Sequence, residues 1–301
     1  MNRAVVTGAS GAVGYGLIAA LLAEGVEVTV LGRTKPLNDG VDFINCDLSE
    51  LKDISLDINA DCFFHLAWNG TYGADRNDRE QQFLNVDYTL DAVRLAHKLG
   101  CKAFVGVGSQ AEYGTVPYGT ALTPQIECKP QNYYGKAKLE ASRKAAELCA
   151  ELGIKFNWCR IISAYGIGDK PYTMIMQTIA KMSRGESCDF TPCDQIWDYI
   201  YNEDLGRALY LVAESGKAGN TYVLGSGSPA PLKEYIIKIY NAVGNSNAAC
   251  NFGAIDYFEN QAMYLCADIS DLTRDTGFVP EVKFDEGVRR TVQWYKNNCE
   301  E

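Results

Sequence analysis

Short apolar runs alternate along this chain with longer stretches whose apolar positions recur every three or four residues. Arg3–Thr7, around Ala4-Val5-Val6, reads as a buried strand, and Ala12 to Ala23 as an apolar helix after a glycine turn. Val26 to Leu31 and Cys62 to Leu66 read as further strands, followed by a helix around Val86 to Leu99. Lys102 to Val107 predicts a strand, a helix carrying Tyr134 follows, and Lys155 to Ile162 is a strand again. Apolar strands separated by helices predict an α/β fold with a doubly wound parallel sheet covered on both faces. Such a sheet binds ligands beyond the carboxyl ends of its strands.

The alternation weakens after Gly166. Pro171 to Phe190 reads as helix and loop, Glu203 to Ala213 as a helix, and Thr221 to Leu224 as a short strand. Pro229-Ala230-Pro231 marks a new helix start, and Pro280 precedes a final helix ending near Lys296. Residues 1–166 are therefore expected to form the sheet domain, rejoined by a segment at about 195–225, with 167–301 mostly a smaller substrate-binding lobe.

With 22% charged and 47% hydrophobic residues, the composition is that of a soluble globular protein. A net charge of -10 argues against a nucleic-acid partner, which wants basic surface. No apolar run is long enough to span a bilayer, and a strand at Arg3 leaves no room for a signal peptide ahead of it, so a cytoplasmic protein is expected. The eleven cysteines are scattered without any Cys-x-x-Cys, which points to buried thiols and away from disulfides or zinc. His65 and His97 have no metal-ligand constellation around them, so no metal is expected; His97 sits in a helical pattern as a surface or packing residue.

Chemistry enters first at Thr7-Gly8-Ala9-Ser10-Gly11-Ala12-Val13-Gly14, between a strand and a helix. Gly8 can turn sharply, Gly11 lets backbone approach a pyrophosphate, Gly14 lets helix and strand pack closely, and the helix N-terminus favours an anion. The residues from Gly8 to Gly14, including Ser10, Ala12 and Val13, are thus candidate dinucleotide contacts. After the second strand comes Leu31-Gly32-Arg33-Thr34-Lys35, with no acidic residue to accept from a ribose. Arg33 can pair with a 2′-phosphate and stack on adenine, which favours NADP(H) over NAD(H).

Tyr134-Gly-Lys-Ala-Lys138 places a phenol and an ammonium four apart, on one helix face. That spacing occurs by chance about once in a chain of this composition, so its context must carry the argument. Gly108-Ser109-Gln110-Ala111-Glu112-Tyr113-Gly114 precedes it, Arg160-Ile-Ile-Ser163-Ala-Tyr165-Gly166 follows, and Trp197-Asp198-Tyr199-Ile200 with Asp204-Leu205 comes later. In this order the motifs resemble the extended short-chain dehydrogenase/reductase family, in its nucleotide-sugar epimerase, dehydratase and reductase branch. Cys46-Asp47-Leu48 resembles the family's Asp-hydrophobic step beside adenine. His65-Leu66-Ala67 resembles its strand end near the cofactor, and Asn85 falls where the family's next helix commonly begins.

The resemblance implies a Rossmann-type fold, Tyr134 as proton donor, Ser109 orienting the reacting oxygen, and Lys138 holding the nicotinamide ribose while depressing the tyrosine pKa. It implies Asp47, Leu48, Leu66 and Ala67 at the cofactor, and Gln110, Glu112, Tyr113, Ser163, Tyr165 and Trp197 as candidates for the sugar pocket. Asp204 reads as a helix N-cap. Related 4,6-dehydratases have Asp-Glu where this chain has Gln110 and Ala111, which disfavours elimination. Retaining 4-epimerases generally have an acidic residue where Arg33 lies. What the resemblance leaves is an NADPH-dependent reductase of a CDP- or dTDP-linked 4-keto-6-deoxy sugar. The alternatives are a nucleotide-sugar 4-epimerase, a reductase of a non-nucleotide carbonyl and a non-enzymatic NADPH sensor. Trp197 stands where many relatives place an Arg near the substrate diphosphate. A homodimer through the Asp91–Leu99 helix and the Tyr134 helix is also implied.

Overall fold

The computed structural model describes residues 1–258 and 261–299. At its centre lie β1 (Arg3–Thr7), β2 (Glu27–Gly32), β3 (Asp42–Asn45), β4 (Cys62–His65), β5 (Ala103–Ser109), β6 (Lys155–Ile161) and a last strand, Thr221–Leu224. Their order across the sheet is Thr221–Leu224, β6, β5, β4, β1, β2, β3, and every pairing is parallel. The order reverses at β1, which opens a crevice beyond its carboxyl end.

Both faces of this sheet are covered because successive strand residues point to opposite sides. Ala4, Val6, Val28, Val30, Phe64 and Val105 enter one core. Val5, Leu31, Phe63 and Phe104 enter the other. Helices α1 (Ala12–Ala23) and α5 (Asn202–Ser215) cover the first face, and α2 (Arg79–Lys98) and α3 (Tyr133–Leu152) the second. Where α1 meets α5, a Cβ on Gly16 would collide with the Asn202 carbonyl and one on Gly206 with the Gly16 carbonyl. Only paired glycines allow this approach.

Strand β3 and helix α2 differ from the expectation, and Cys188–Phe190, expected as loop, is a short strand. The edge strand β3 was hidden because its ends, Asp42 and Asn45, are exposed and only Phe43 and Ile44 are half-buried. Helix α2 begins two turns before Val86, because the Asp78 carboxylate caps it by accepting from the Gln81 N–H at 3.1 Å. Its polar opening Arg-Glu-Gln-Gln conceals the period. Asn85 consequently lies inside the helix and not at its start.

The segment near 195–225 supplies α5 and the Thr221–Leu224 strand. Helix α7 (Ser270–Thr276) also returns to the sheet domain, where Leu272 and Phe278 join the first core. Asp204 does not cap α5, whose N-cap is Tyr201. Its carboxylate instead accepts from the backbone N–H groups of Glu281 at 2.9 Å and Val282 at 2.8 Å and pairs with Arg207, tying the returning chain down. The smaller lobe packs α4 (Met174–Ser183), α6 (Leu232–Val243) and α8 (Phe284–Asn298) around Ile179, Met182, Ile236, Ile239 and Val292.

All eleven cysteines are free and most are buried. Among the described residues there is no cluster able to hold a metal ion, and no helix is long and apolar enough to cross a membrane.

Candidate active site

A cleft of about 620 Å³ opens beyond β1, β2 and β4, lined by the turn from Thr7 to Gly14 and by Arg33, Leu48, Leu66, Ala67, Trp68 and Lys170. Gly8 takes the left-handed region at φ 75°, and a Cβ there would strike the Ala67 backbone. A Cβ on Gly14 would strike the backbone of Ala9, so strand, turn and helix are packed to backbone contact. A Cβ on Gly11 would meet nothing within 4 Å, because that position faces the open cleft. Helix α1 has no side-chain cap and no acidic residue in its first turn. Its free N–H groups and positive end therefore fit a pyrophosphate.

Arg33 stands exposed at the mouth of this cleft, with its Nε 3.7 Å from the Asp47 carboxylate. Asp47 does not line the cleft. It accepts from the Ser49 N–H at 3.0 Å and the Ser49 hydroxyl at 2.8 Å, capping the Leu48–Glu50 turn. Those bonds, with Arg33, hold its carboxyl below the usual range.

Tyr134 and Lys138 sit in the first turns of α3, which the Asn132 side chain caps by accepting from the Gly135 N–H at 2.8 Å. The Tyr134 ring meets Trp68 edge-on at 6.2 Å, and the Arg76 guanidinium lies 4.6 Å from the ring centre. Trp68 lines the glycine-lined cleft, whereas Arg76 lines a second cavity of about 380 Å³ with Gln110, Ala111, Gln131, Tyr118 and Tyr264. Tyr134 thus touches one lining residue of each, while Tyr134, Ser109 and Lys138 themselves line neither cavity. Burial raises its phenol above the ordinary value, against the pull of the neighbouring Ser109 hydroxyl and the Arg76 cation.

The expected depression of Tyr134 by Lys138 is not present in this structure. Lys138 is buried, donates to the Val107 carbonyl at 2.6 Å and lies 3.8 Å from the centre of a Trp68 ring. Burial pushes its ammonium down to about 7, opposed by Glu112.

The six residues proposed for the sugar pocket separate. Gln110 lines the second cavity. Ser163 accepts from Trp197 Nε1 at 2.9 Å, and neither lines either cavity. Glu112 is fully buried: it receives Arg160 Nε at 2.7 Å, Trp158 Nε1 at 3.1 Å and the Ser109 N–H at 2.8 Å. Tyr113 donates to the Thr123 carbonyl at 3.0 Å and accepts from Arg160. Tyr165 lies in the aromatic core of the lobe against Phe284, Tyr199 and Tyr201. Glu112, Tyr113 and Tyr165 therefore hold structure and do not face the cavities. The buried Arg160–Glu112 pair fixes the Ser109–Tyr113 loop, since Glu112 also grips the Ser109 backbone.

Sequence reading missed the loop after β4. Gln82 of α2 accepts from Trp68 Nε1 at 2.8 Å and donates to the carbonyls of Gly70 at 2.6 Å and Asp75 at 3.0 Å. Asn85 accepts from the Asn69 N–H at 2.8 Å. These two amides place Trp68 and Arg76, and a polar helix start gave no sign of it. Lys170 also went unnoticed; its Nζ donates to the Ser10 carbonyl at 3.2 Å.

Residues 4–225 match the NAD dependent epimerase/dehydratase family. CDP-abequose synthase of Salmonella muenchen is 27% identical over 306 residues, 97% of each chain. The dTDP-6-deoxy-L-talose 4-dehydrogenase (NAD(P)(+)) of Kitasatospora kifunensis is 24% identical over 300 residues, 95% of this chain and 93% of the relative. The fold is that of the UDP-glucose 4-epimerase solved with UDP-glucose from Thermotoga maritima, with a TM-score of 0.86, 21% identity and coverage of 99% of this chain and 100% of the other. The chain therefore belongs to the NAD dependent epimerase/dehydratase family, the extended short-chain dehydrogenases/reductases, and is an NAD(P)-dependent enzyme.

Proposed function

We propose that this enzyme reduces the 4-keto group of a CDP- or dTDP-linked 6-deoxy sugar with NADPH. The observation that carries the reading is the contact of Tyr134 with Trp68 of the glycine-lined cleft and Arg76 of the second cavity, with Ser109 beside it. NADPH, when bound, would supply the hydride that the carbonyl carbon accepts. Tyr134 donates its phenolic proton to the oxygen, and the Ser109 hydroxyl donates a hydrogen bond to the same atom and orients it. Lys138, which contacts Val107 and Trp68 of the cleft lining, would hold the ribose hydroxyls. Backbone N–H groups of the Gly8–Gly14 turn would hold the pyrophosphate, and Arg33 would pair with the 2′-phosphate.

Two full-length relatives support this reading, and the name of one, a 4-dehydrogenase of a dTDP-6-deoxy sugar, describes the reverse reaction. Gln110 and the buried Ala111 offer no carboxyl group for elimination. A 4-epimerase is the second reading, favoured by likeness to the UDP-glucose 4-epimerase fold. Incubation with CDP- and dTDP-linked 4-keto sugars, following NADPH absorbance, separates them. Stoichiometric cofactor oxidation supports the reductase; sugar interconversion without it supports the epimerase. Tyr134→Phe abolishing most turnover while retaining NADPH binding is expected, and full activity in that variant overturns the assignment. The same reading carries a homodimer through α2 and α3, which a monomer in sedimentation would remove.

A further inference from the structure

We propose that Arg76 is the positioning cation of the proton-transfer step, stabilising the Tyr134 phenolate that forms as its proton passes to the substrate oxygen. The proposal rests on the reductase reading, because it needs Tyr134 to act as the acid.

A guanidinium carries five N–H donors and is charged at every working pH. Arg76 has no ion-pair or hydrogen-bond acceptor among the described residues, and its Nε is buried without a partner. Leaving a buried donor unmatched costs stability unless something else compensates. The contact observed is the face of Tyr134, 4.6 Å away. A cation over a phenol is attracted weakly, and over a phenolate strongly, so the interaction grows as the proton leaves.

Other charges around Tyr134 cannot take this role. Glu112 is negative and already holds Arg160, Trp158 and the Ser109 N–H. Lys138 is engaged with Val107 and Trp68, and His65 behind it is held neutral by burial. Asp75, on the same turn as Arg76, lines the cofactor cleft. Gln82 fixes that turn, Gly73–Asn77, through its bond to the Asp75 carbonyl.

The balance of the step is simple. The carbonyl carbon gains a hydride as NADPH is oxidised to NADP⁺, and its oxygen gains the Tyr134 proton. Tyr134 is left as phenolate beside Arg76 until solvent returns a proton. In reverse, alcohol oxidation requires the phenolate from the start.

The test is a phenolate titration by ultraviolet difference absorbance, wild type minus Tyr134→Phe, repeated with Arg76→Gln in both. Removing the charge is expected to move the Tyr134 transition up by about one pH unit. Alcohol oxidation below the transition then falls about tenfold, its rising limb displaced to higher pH by the same interval. Arg76→Lys restores most of the shift. Arg76→Met keeps the packing stem and serves as the parallel variant if Arg76→Gln does not fold. A transition unmoved in these variants overturns the proposal, even if kcat falls. The titration needs no substrate: a shift without turnover on any keto sugar sinks the reductase reading and keeps the Arg76–Tyr134 pairing.

Discussion

The Lys138 ammonium donates to the Val107 carbonyl at 2.6 Å, and Val107 lines the glycine-lined cleft although the buried Lys138 does not. Burial pushes its pKa well below that of an exposed lysine, so its charge is lost, as pH rises, at a lower pH than usual. NADPH affinity should therefore weaken as pH rises. Lys138→Met should remove this dependence and weaken NADPH binding about 10- to 100-fold, the worth of hydrogen bonds to a charged group. Fluorescence titration of NADPH at pH 6 and 8.5 checks both; a wild-type constant that does not change refutes the assignment.

Arg33 lies 3.7 Å from Asp47, so part of its charge is already matched, yet its side chain remains exposed at the cleft mouth. Arg33→Asp should reverse or erase a preference for NADPH over NADH by about tenfold or more. Steady-state kcat/KM for the two cofactors measures this. An unchanged ratio would assign the 2′-phosphate to other residues.

Arg160→Met tests the structural assignment of Glu112. It leaves a buried carboxylate without its cation and should cost about 3–5 kcal/mol of stability. Replacing Glu112 by Gln in the same chain should recover part of it. Urea unfolding provides the readout, and a stable single variant with a raised substrate KM would restore Glu112 to the pocket.

His65 is buried between Thr7 Oγ1, 2.9 Å from Nδ1, and Thr89 Oγ1, 3.3 Å from Nε2. Thr89 donates its own proton to the Asn85 carbonyl, so Nε2–H donates to Thr89 and Nδ1 accepts from Thr7. Burial, then Lys138, depresses the imidazole to about 3. An unfolded histidine takes a proton near 6.5 that the folded one refuses. Stability from this group is thus complete above that pH and declines by about 1.4 kcal/mol per unit as pH falls toward 3. With only His65 and His97 in the chain, proton NMR can follow each, His97→Gln making the assignment. A His65 signal that titrates between pH 5 and 8 would contradict this environment.

Gly206→Ala drives a methyl into the Gly16 backbone, where neither helix can yield separately. A loss of about 1–3 kcal/mol or more is expected from such overpacking. Thermal unfolding is the check; an unaltered midpoint would mean that α1 and α5 separate easily.

How much of this was legible in the sequence follows from where each signal lies. The strand Arg3–Thr7, helix Ala12–Ala23 and strand Thr221–Leu224 have the predicted boundaries, since apolar period and glycine punctuation are local. Edge strand β3 and the polar start of α2 were not, because half-exposed elements carry little periodicity. In the site, the glycine turn and the Tyr134–Lys138 spacing could be read from neighbours in the chain. Trp68, Arg76, Gln82 and Lys170 could not, because their roles depend on groups brought in from elsewhere.

By itself, the sequence determined the doubly wound sheet, the anion-ready turn at Gly8–Gly14 and the Tyr134–Lys138 spacing on one helix. Those follow from short-range sterics, period and the free N–H groups of a helix start. Only the tertiary structure decided that Glu112, Tyr113 and Tyr165 hold the scaffold, that Lys138 faces Val107, and that Arg76 lies over Tyr134. Burial and the reach of a charge belong to the packed chain. Spacing along the sequence cannot state them, because the partners come from different strands, helices and loops.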